Sequence, residues 1–167
     1  MPVRDDDPDY PALVLGNYLL GGNSAARLPS RIREKEGLSY SVGTSLSASS
    51  FDRRGDFSVF AIFAPQNGAR VDSLIREELQ RALADGFTAE EMESARKGLL
   101  QARQVARNSD GAVAGRLLQY LSLGRTFAWD EQFEKRIAAL TPKDVVEALR
   151  RHLSLDRYAV VKAGDFR

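Results

Sequence analysis

The feature of this sequence that most restricts its fold is one pair of adjacent strand patterns placed among helical ones. In residues 38–48 large side chains alternate with small polar ones, which is the period of an extended strand. The large side chains on one side of this alternation are Leu38, Tyr40, Val42 and Leu46. Residues 56–64 carry apolar side chains on both faces, as an interior strand does, and residues 51–55 read as a turn. The two patterns together predict an antiparallel hairpin.

Helical patterns lie on both sides of this hairpin. Residues 8–20 and 25–36 precede it, and residues 71–84, 88–106, 113–121, 130–139 and 142–153 follow it. Thr88 and Glu91 have the spacing of a capping box, and Thr141 followed by Pro142 is typical of a helix start. Residues 108–111, Asn-Ser-Asp-Gly, interrupt the longest helical stretch. Residues 157–163 are predicted to form a final strand.

This order of elements favours an α+β fold, a two-layer sandwich with helices packed on one face of a mostly antiparallel sheet. A length of 167 residues with 43% hydrophobic and 28% charged residues fits a single domain with a substantial core. Three strands are few for such a sheet. We therefore expect residues 1–167 to be one N-terminally truncated domain, with further strands upstream or on another chain. The acidic run at residues 5–7 is expected to be a solvated terminus.

Composition excludes several classes of function. The 24 Lys and Arg residues balance 23 Asp and Glu residues, so no electrostatic argument supports a nucleic-acid partner or an anionic membrane. Cysteine is absent, which rules out disulfides, thiolate metal sites and thiol nucleophiles. The apolar stretches, such as residues 59–64, are far shorter than the roughly 20 residues that cross a bilayer. The sequence predicts a soluble chain and leaves both the bacterial periplasm and the cytoplasm open.

The histidine content argues against a zinc site in this chain. Catalytic zinc is held by three protein ligands, commonly two histidines on one helix face with a glutamate nearby as base. The chain has one histidine, His152, which follows Arg150 and Arg151 near a predicted helix end. A cation there complements the helix dipole, so a structural role is expected for His152. No catalytic residue and no metal ligand is predicted.

Arg33 and Tyr40 are the candidate binding residues. An arginine at a helix end and a tyrosine on the strand after the Gly37 turn can converge on one point. A guanidinium and a phenol both donate hydrogen bonds, so the pair could hold peptide carbonyls or an oxyanion. The residue types alone leave a plainer alternative open, with Tyr40 in the core and Arg33 on the surface.

Residues 33–42, Arg-Glu-Lys-Glu-Gly-Leu-Ser-Tyr-Ser-Val, resemble a motif in the C-terminal half of pitrilysin/insulinase-family zinc metallopeptidases and their mitochondrial processing peptidase relatives. The spacing from Arg33 to Tyr40 agrees with that motif. The resemblance extends to residues 9–13, to the Gly21-Gly22 pair and to residues 86–91 before a long helix. It covers nearly the whole chain.

The resemblance implies a metallopeptidase half-domain of the LuxS and processing-peptidase type. In that family two similar halves enclose a chamber. The N-terminal half holds zinc through a His-x-x-Glu-His motif, and the C-terminal half contributes an arginine and a tyrosine to substrate binding. By resemblance, Arg33 and Tyr40 would bind substrate. Zinc would belong to the partner half, and the partners would be that zinc-bearing half or subunit and a peptide substrate.

Two functions therefore compete. In the first, the chain is the substrate-binding, zinc-free half that completes a peptidase active site and is inactive alone. In the second, it is a non-catalytic scaffold or assembly subunit of the same fold, and Arg33→Ala would leave the function of the complex unchanged. A free-standing hydrolase conflicts with the missing nucleophile and metal ligands. Pairing of the chain with itself stays open.

Overall fold

A computed structural model describes residues 1–165 of the chain. The chain order of its elements is as follows: helix α1 (Tyr10–Leu20), a π-helix (Pro29–Lys35), strands β1 (Ser39–Ala48) and β2 (Gly55–Phe63), a 3₁₀ turn (Pro65–Asn67), and helices α2 (Gly68–Ala84), α3 (Ala89–Val105), α4 (Asp110–Leu123), α5 (Phe127–Ala139) and α6 (Pro142–His152). This confirms the predicted α+β class. Across the described range no helix is both long and apolar enough to span a bilayer.

The predicted antiparallel hairpin is confirmed. Strand β1 pairs with β2 in a register that runs from Ser39 opposite Phe63 to Ala48 opposite Gly55. The prediction that β2 is interior on both faces is wrong, because helices cover only one face of the hairpin. On the other face Phe60 is 49% exposed and Ile62 is 62% exposed.

A β-bulge changes the alternation at the start of β1. Between the Ser39–Phe63 and Ser41–Ile62 pairs, β1 contains one residue more than β2, and that residue is Tyr40. Ser39 is therefore buried at the start of the strand, whereas Tyr40 is 86% exposed. The sequence alternation, which placed Tyr40 on the side of Val42, is wrong at this position.

The core lies between the hairpin and the helices, with α1 at its centre. Because the sequence of α1 is apolar nearly all round, most of its residues are buried, and it packs against α3, α5, α6 and β1. Gly16 of α1 lies so close to the Leu149 side chain of α6 that a β-carbon there would meet it at 2.9 Å. A second, smaller cluster joins the π-helix, β1 and α2 through Leu28, Ile32, Val42, Val71 and Leu74.

Polar side chains start the later helices as the sequence predicted. Thr88 and Glu91 form a capping box on α3, and Thr141 caps α6 ahead of Pro142. Ser109 accepts a hydrogen bond from the backbone N–H of Ala112 at the start of α4, within the predicted interruption. Helix α4 packs loosely, since Tyr120 is its one buried residue and Leu117, Leu118 and Leu121 are exposed.

Two terminal predictions are wrong. The N-terminal segment is not solvated: Val3 is fully buried, and Asp5 forms a bidentate ion pair with Arg125. Residues 157–163 follow α6 as irregular chain rather than a strand. Tyr158 and Val160 lie near the β2 residues that line a cleft of about 480 Å³. In the described residues no ladder of backbone hydrogen bonds joins this segment to β2, and a strand requires one.

Candidate functional site

The connection from the π-helix to β1 carries both candidate binding residues. Pro29 and Ile32 bury one side of the π-helix, which leaves Arg33 on the solvent side. The chain then reverses at Gly37, whose φ of +63° lies in the left-handed region that glycine adopts without strain. The Gly37 N–H donates to the carbonyl oxygen of Arg33, at 3.2 Å, which closes the turn. Arg33 and Tyr40 therefore lie on either side of one tight reversal.

The guanidinium of Arg33 makes few contacts that would stabilise the fold. Its side chain is 54% exposed, and its one ion pair in the described part of the chain is with the neighbouring Glu34, at 3.4 Å. An exposed pair of this kind contributes little to stability. Arg33 is thus available to a ligand, and no hydrogen bond or ion pair within residues 1–165 joins it to Tyr40.

Tyr40 is held outward by its neighbour. The buried Ser39 hydroxyl lies 2.8 Å from the carbonyl oxygens of both Ser41 and Ile62, so it bridges the bulge and the partner strand. The Tyr40 hydroxyl has no hydrogen-bond partner among residues 1–165. The alternative in which Tyr40 is a core residue is therefore wrong.

The solvent face of the hairpin continues from Tyr40 and was not singled out in the sequence. Its apolar residues are Phe60 and Ile62, and its polar residues are serines 41, 45, 47 and 58 and Asp56. The Ser45 and Ser58 hydroxyls lie 2.8 Å apart across the strands. Gly43 lies opposite Phe60, and a β-carbon at Gly43 would be 3.0 Å from the tip of that ring. The sequence does contain a signal for this face. The apolar residues at alternate positions of β2 lie opposite the serine positions of β1.

A larger cleft, of about 690 Å³, lies elsewhere, between the end of α1, the π-helix, α2 and α3. Neither Arg33 nor Tyr40 lines it. Its charged groups are mostly paired: Arg27 binds Glu91 through two hydrogen bonds of 2.7 and 2.8 Å, and Arg81 binds Glu78. The Arg27 contact is the main reason that the pKa of Glu91 falls to about 2. We interpret this cleft as structural.

Asp7, Asp9 and His152 form a cluster whose potential ligand atoms lie within 4.8 Å of one another. Asp9 accepts two hydrogen bonds from Arg151, at 2.7 and 2.8 Å, and lies 2.9 Å from the Nε2 atom of His152. The Arg151 contact, followed by that of His152, lowers the pKa of Asp9. A guanidinium already holds this carboxylate, and the set has one histidine, so it does not fit a catalytic zinc ion. His152 does lie at the end of α6, where it ties that helix to the N-terminal segment.

The fold, an α+β arrangement with Arg33 and Tyr40 exposed at the start of its hairpin, is that of a known family of peptidase-like domains. The family model described as the peptidase M16 inactive domain matches residues 1–99. The chain belongs to this family. A solved peptidase M16 inactive domain from Pseudomonas fluorescens superposes with a TM-score of 0.81 and 27% identity, over 93% of this chain and 37% of that one.

Curated relatives with similar sequences are bacterial. An uncharacterized zinc protease of Streptomyces coelicolor is 36% identical over 145 residues, which is 86% of this chain and 30% of the relative. A Helicobacter pylori protein named a non-peptidase homolog is 23% identical over 161 residues, which is 92% of this chain and 35% of the relative. The chain thus spans about a third of the length of the curated relatives it matches.

Proposed function

We propose that this chain is the substrate-binding, zinc-free half of a zinc-dependent peptidase. Residues 1–167 would act as one domain, and the zinc-bearing half would be either another part of the same polypeptide or a separate subunit. Metal-assisted attack of water on the peptide bond would belong to that half. Arg33 and Tyr40 would bind the substrate and donate hydrogen bonds to its carbonyl oxygens. The chain would be inactive alone.

The observation that carries this proposal is the exposure of Tyr40. A tyrosine at a strand position normally buries its ring, because aromatic side chains contribute most when they leave water. Here the bulge and the Ser39 hydrogen bonds present the ring and its hydroxyl to solvent, close along the chain to a loosely paired arginine. Two exposed donors on one tight turn suit recognition better than stability.

The types of ligand that the chain offers support the division of labour. The chain has a single histidine, and within residues 1–165 the carboxylate of Asp9 that lies beside it already binds Arg151. The names of several relatives as zinc proteases support zinc in the complete proteins. A zinc-bearing partner half would reconcile the two facts.

The competing function is that of a scaffold or assembly subunit. The Helicobacter pylori relative named a non-peptidase homolog supports it, as do the exposed leucines of α4, since exposed apolar patches often mark contacts with other proteins. In this case neither Arg33 nor Tyr40 would matter for what the complex does.

The deciding experiment measures cleavage of a quenched-fluorescence peptide mixture by this chain combined with its zinc-bearing half. We expect activity to require both halves. Arg33→Ala should lower kcat/KM by about tenfold or more, which corresponds to roughly 1.4 kcal/mol of lost transition-state binding. Arg33→Lys should recover part of this loss, because it restores the charge without the planar fork.

The matched control is Arg53→Ala, which removes another exposed arginine, at the turn of the hairpin. It should leave kcat/KM unchanged, and the zinc content of the assembly should be the same in every variant. Activity that is indifferent to Arg33→Ala would reject the substrate-binding function and favour the scaffold.

A further inference from the structure

The solvent face of the hairpin has the properties of a binding surface for an uncharged side chain. Phe60 and Ile62 are large and are 49% and 62% exposed, and β2 spaces them two residues apart on one face. Exposed aromatic and branched side chains that lie together are uncommon without a partner. The opposite strand contributes only small residues here, Ser41, Gly43 and Ser45.

Gly43 gives this face its shape. Because Gly43 has no side chain, the Phe60 ring can lie close against β1, where a β-carbon would be 3.0 Å from the tip of the ring. The ring thus forms a flat apolar surface on the solvent side of the hairpin. Ile62 lies two residues further along the same face of β2, opposite Ser41, and Ser41 directly follows Tyr40 in the sequence, so this apolar surface begins next to Tyr40.

The charge on this face limits what can bind. Between the Ser41–Ile62 and Ser45–Ser58 pairs no position carries an ionisable side chain, and the nearest acid along the face is Asp56, opposite Ser47. A charged substrate side chain placed on Phe60 would lose water without gaining a partner, which is costly. An apolar side chain would gain from the same desolvation.

We infer that Phe60 and Ile62 form a subsite that selects peptide substrates carrying an uncharged, apolar side chain beside the cleaved bond. This inference rests on the proposed function, because it takes an extended peptide as the occupant. It goes beyond that function by naming the substrate class and two residues that would determine it. Arg33 and Tyr40 would bind the peptide backbone, whereas Phe60 and Ile62 would read one side chain.

The test uses the peptidase assembled from this chain and its zinc-bearing half. Paired peptides carry either Leu or Glu at each position that flanks the cleaved bond, and the readout is the ratio of kcat/KM for Leu over Glu. We expect the wild type to prefer Leu by about tenfold or more at one position, since pocket contacts of this size discriminate on that scale. The double variant Phe60→Ser with Ile62→Ser should reduce this ratio to about twofold or less.

A second variant tests for a change of substrate preference and not only for a loss of it. Phe60→Lys should reverse the preference toward the Glu peptide, because it supplies the missing counter-charge. Both positions are exposed, so folding should survive, and a circular dichroism melt checks this. Leu118→Ser, at an exposed leucine on α4, is the matched control and should keep the wild-type ratio.

The outcomes separate the two proposals. Arg33→Ala should lower kcat/KM for both peptides alike and leave their ratio unchanged. A wild type that needs Arg33 but whose ratio does not respond to Phe60→Ser with Ile62→Ser would overturn the subsite and leave the proposed function standing. An assembly that cleaves no peptide would overturn both.

Discussion

At the scale of single residues, the hydroxyl of Ser39 governs where Tyr40 points. Ser39 is buried, and its hydroxyl lies 2.8 Å from the carbonyl oxygens of Ser41 and Ile62 on the two sides of the bulge. Removing the hydroxyl takes this donor away from both oxygens and frees the extra residue to rearrange. If Tyr40 binds substrate as proposed, Ser39 would act as a positioning residue for it, since the Ser39 hydroxyl is itself buried.

Ser39→Ala tests this role. We expect it to cost about 1 kcal/mol in the free energy of unfolding, which is typical for one lost hydrogen bond. In the assembled peptidase it should raise KM by about threefold or more, because misplaced binding groups weaken substrate binding. Ser39→Thr keeps the hydroxyl and should restore KM. Ser45→Ala, on the solvent face of the same strand, serves as the control, and an equal effect there would argue against positioning.

Much of the candidate site follows from the sequence, but the bulge does not. The types and spacing of Arg33 and Tyr40, together with the resemblance of residues 33–42 to a peptidase motif, single them out as candidates. The direction of Tyr40 depends on a hydrogen bond from Ser39 to Ile62, which is 23 positions away and on another strand. Local alternation cannot register one inserted residue, and a single insertion moves the following side chains to the other face.

At the scale of elements, Arg27 holds the loop between α2 and α3. Its guanidinium binds Glu91, donates to the carbonyl oxygen of Gly86 at 2.7 Å and lies 4.4 Å from the centre of the Phe87 ring. Gly86 has a φ of +76°, a conformation that other residues adopt with strain. Gly86, which lies just after α2, and Glu91 in the cap of α3 are thus held by one cation from a different part of the chain.

This arrangement predicts a specific acid sensitivity. The folded-state pKa of Glu91 is about 2, below its ordinary value of 4.5, so the pair stabilises the fold above pH 4.5. That contribution is lost as the pH falls from 4.5 toward 2. Glu91→Gln should cost about 1–2 kcal/mol at pH 7, a range that allows for partial exposure of the pair. Urea titrations of wild type and variant should converge near pH 2.

Glu90→Gln is the control, because this neighbouring carboxylate forms no ion pair in the described range. It should shift stability much less at every pH. A constant gap between wild type and Glu91→Gln from pH 7 to pH 2 would contradict the assignment.

The elements themselves were predictable where their signals are local. Capping residues and apolar periods determine the helices, and the hairpin follows from its turn. The prediction of a final strand was wrong because a strand requires a neighbouring strand to pair with. Residues 157–163 include Tyr158 and Val160, which are typical strand residues, but their backbone is not paired with a strand in the described residues. The prediction that β2 is interior on both faces was wrong for a related reason. The composition of a strand does not show whether one or both of its faces are covered by other elements.

At the scale of the whole molecule, the N-terminal segment ties the strands to the last helices. The ammonium group of Met1 donates to the carbonyl oxygen of Gly55 at the start of β2, Asp5 binds Arg125 ahead of α5, and Asp9 binds Arg151 in α6. Burial alone would raise the pKa of Asp5, but hydrogen bonds from Arg125 and Ser50 hold it below its ordinary value. An acidic run that composition assigns to solvent is therefore part of the fold.

Asp5→Asn should destabilise the whole domain. It removes the anion opposite a largely buried Arg125, and breaking such a pair typically costs about 3 kcal/mol. Asp6→Asn is the matched control, because Asp6 pairs with Arg4 on the exposed surface and should leave stability nearly unchanged. Urea unfolding with two probes, far-ultraviolet dichroism and Trp129 fluorescence, measures both. Equal stability of the two variants would show that the tie is unimportant.

The N-terminal tie also sets the order in which the domain can assemble during synthesis. Asp5 and Arg125 are separated by 120 positions. At translation rates of about 5–20 residues per second, Arg125 is therefore synthesised roughly 6–24 s after Asp5. The hairpin and α1 can form from short-range contacts during that interval. Asp5 cannot complete its ion pair until Arg125 has emerged, so the segment around Asp5 becomes fully native only after chain that is made much later.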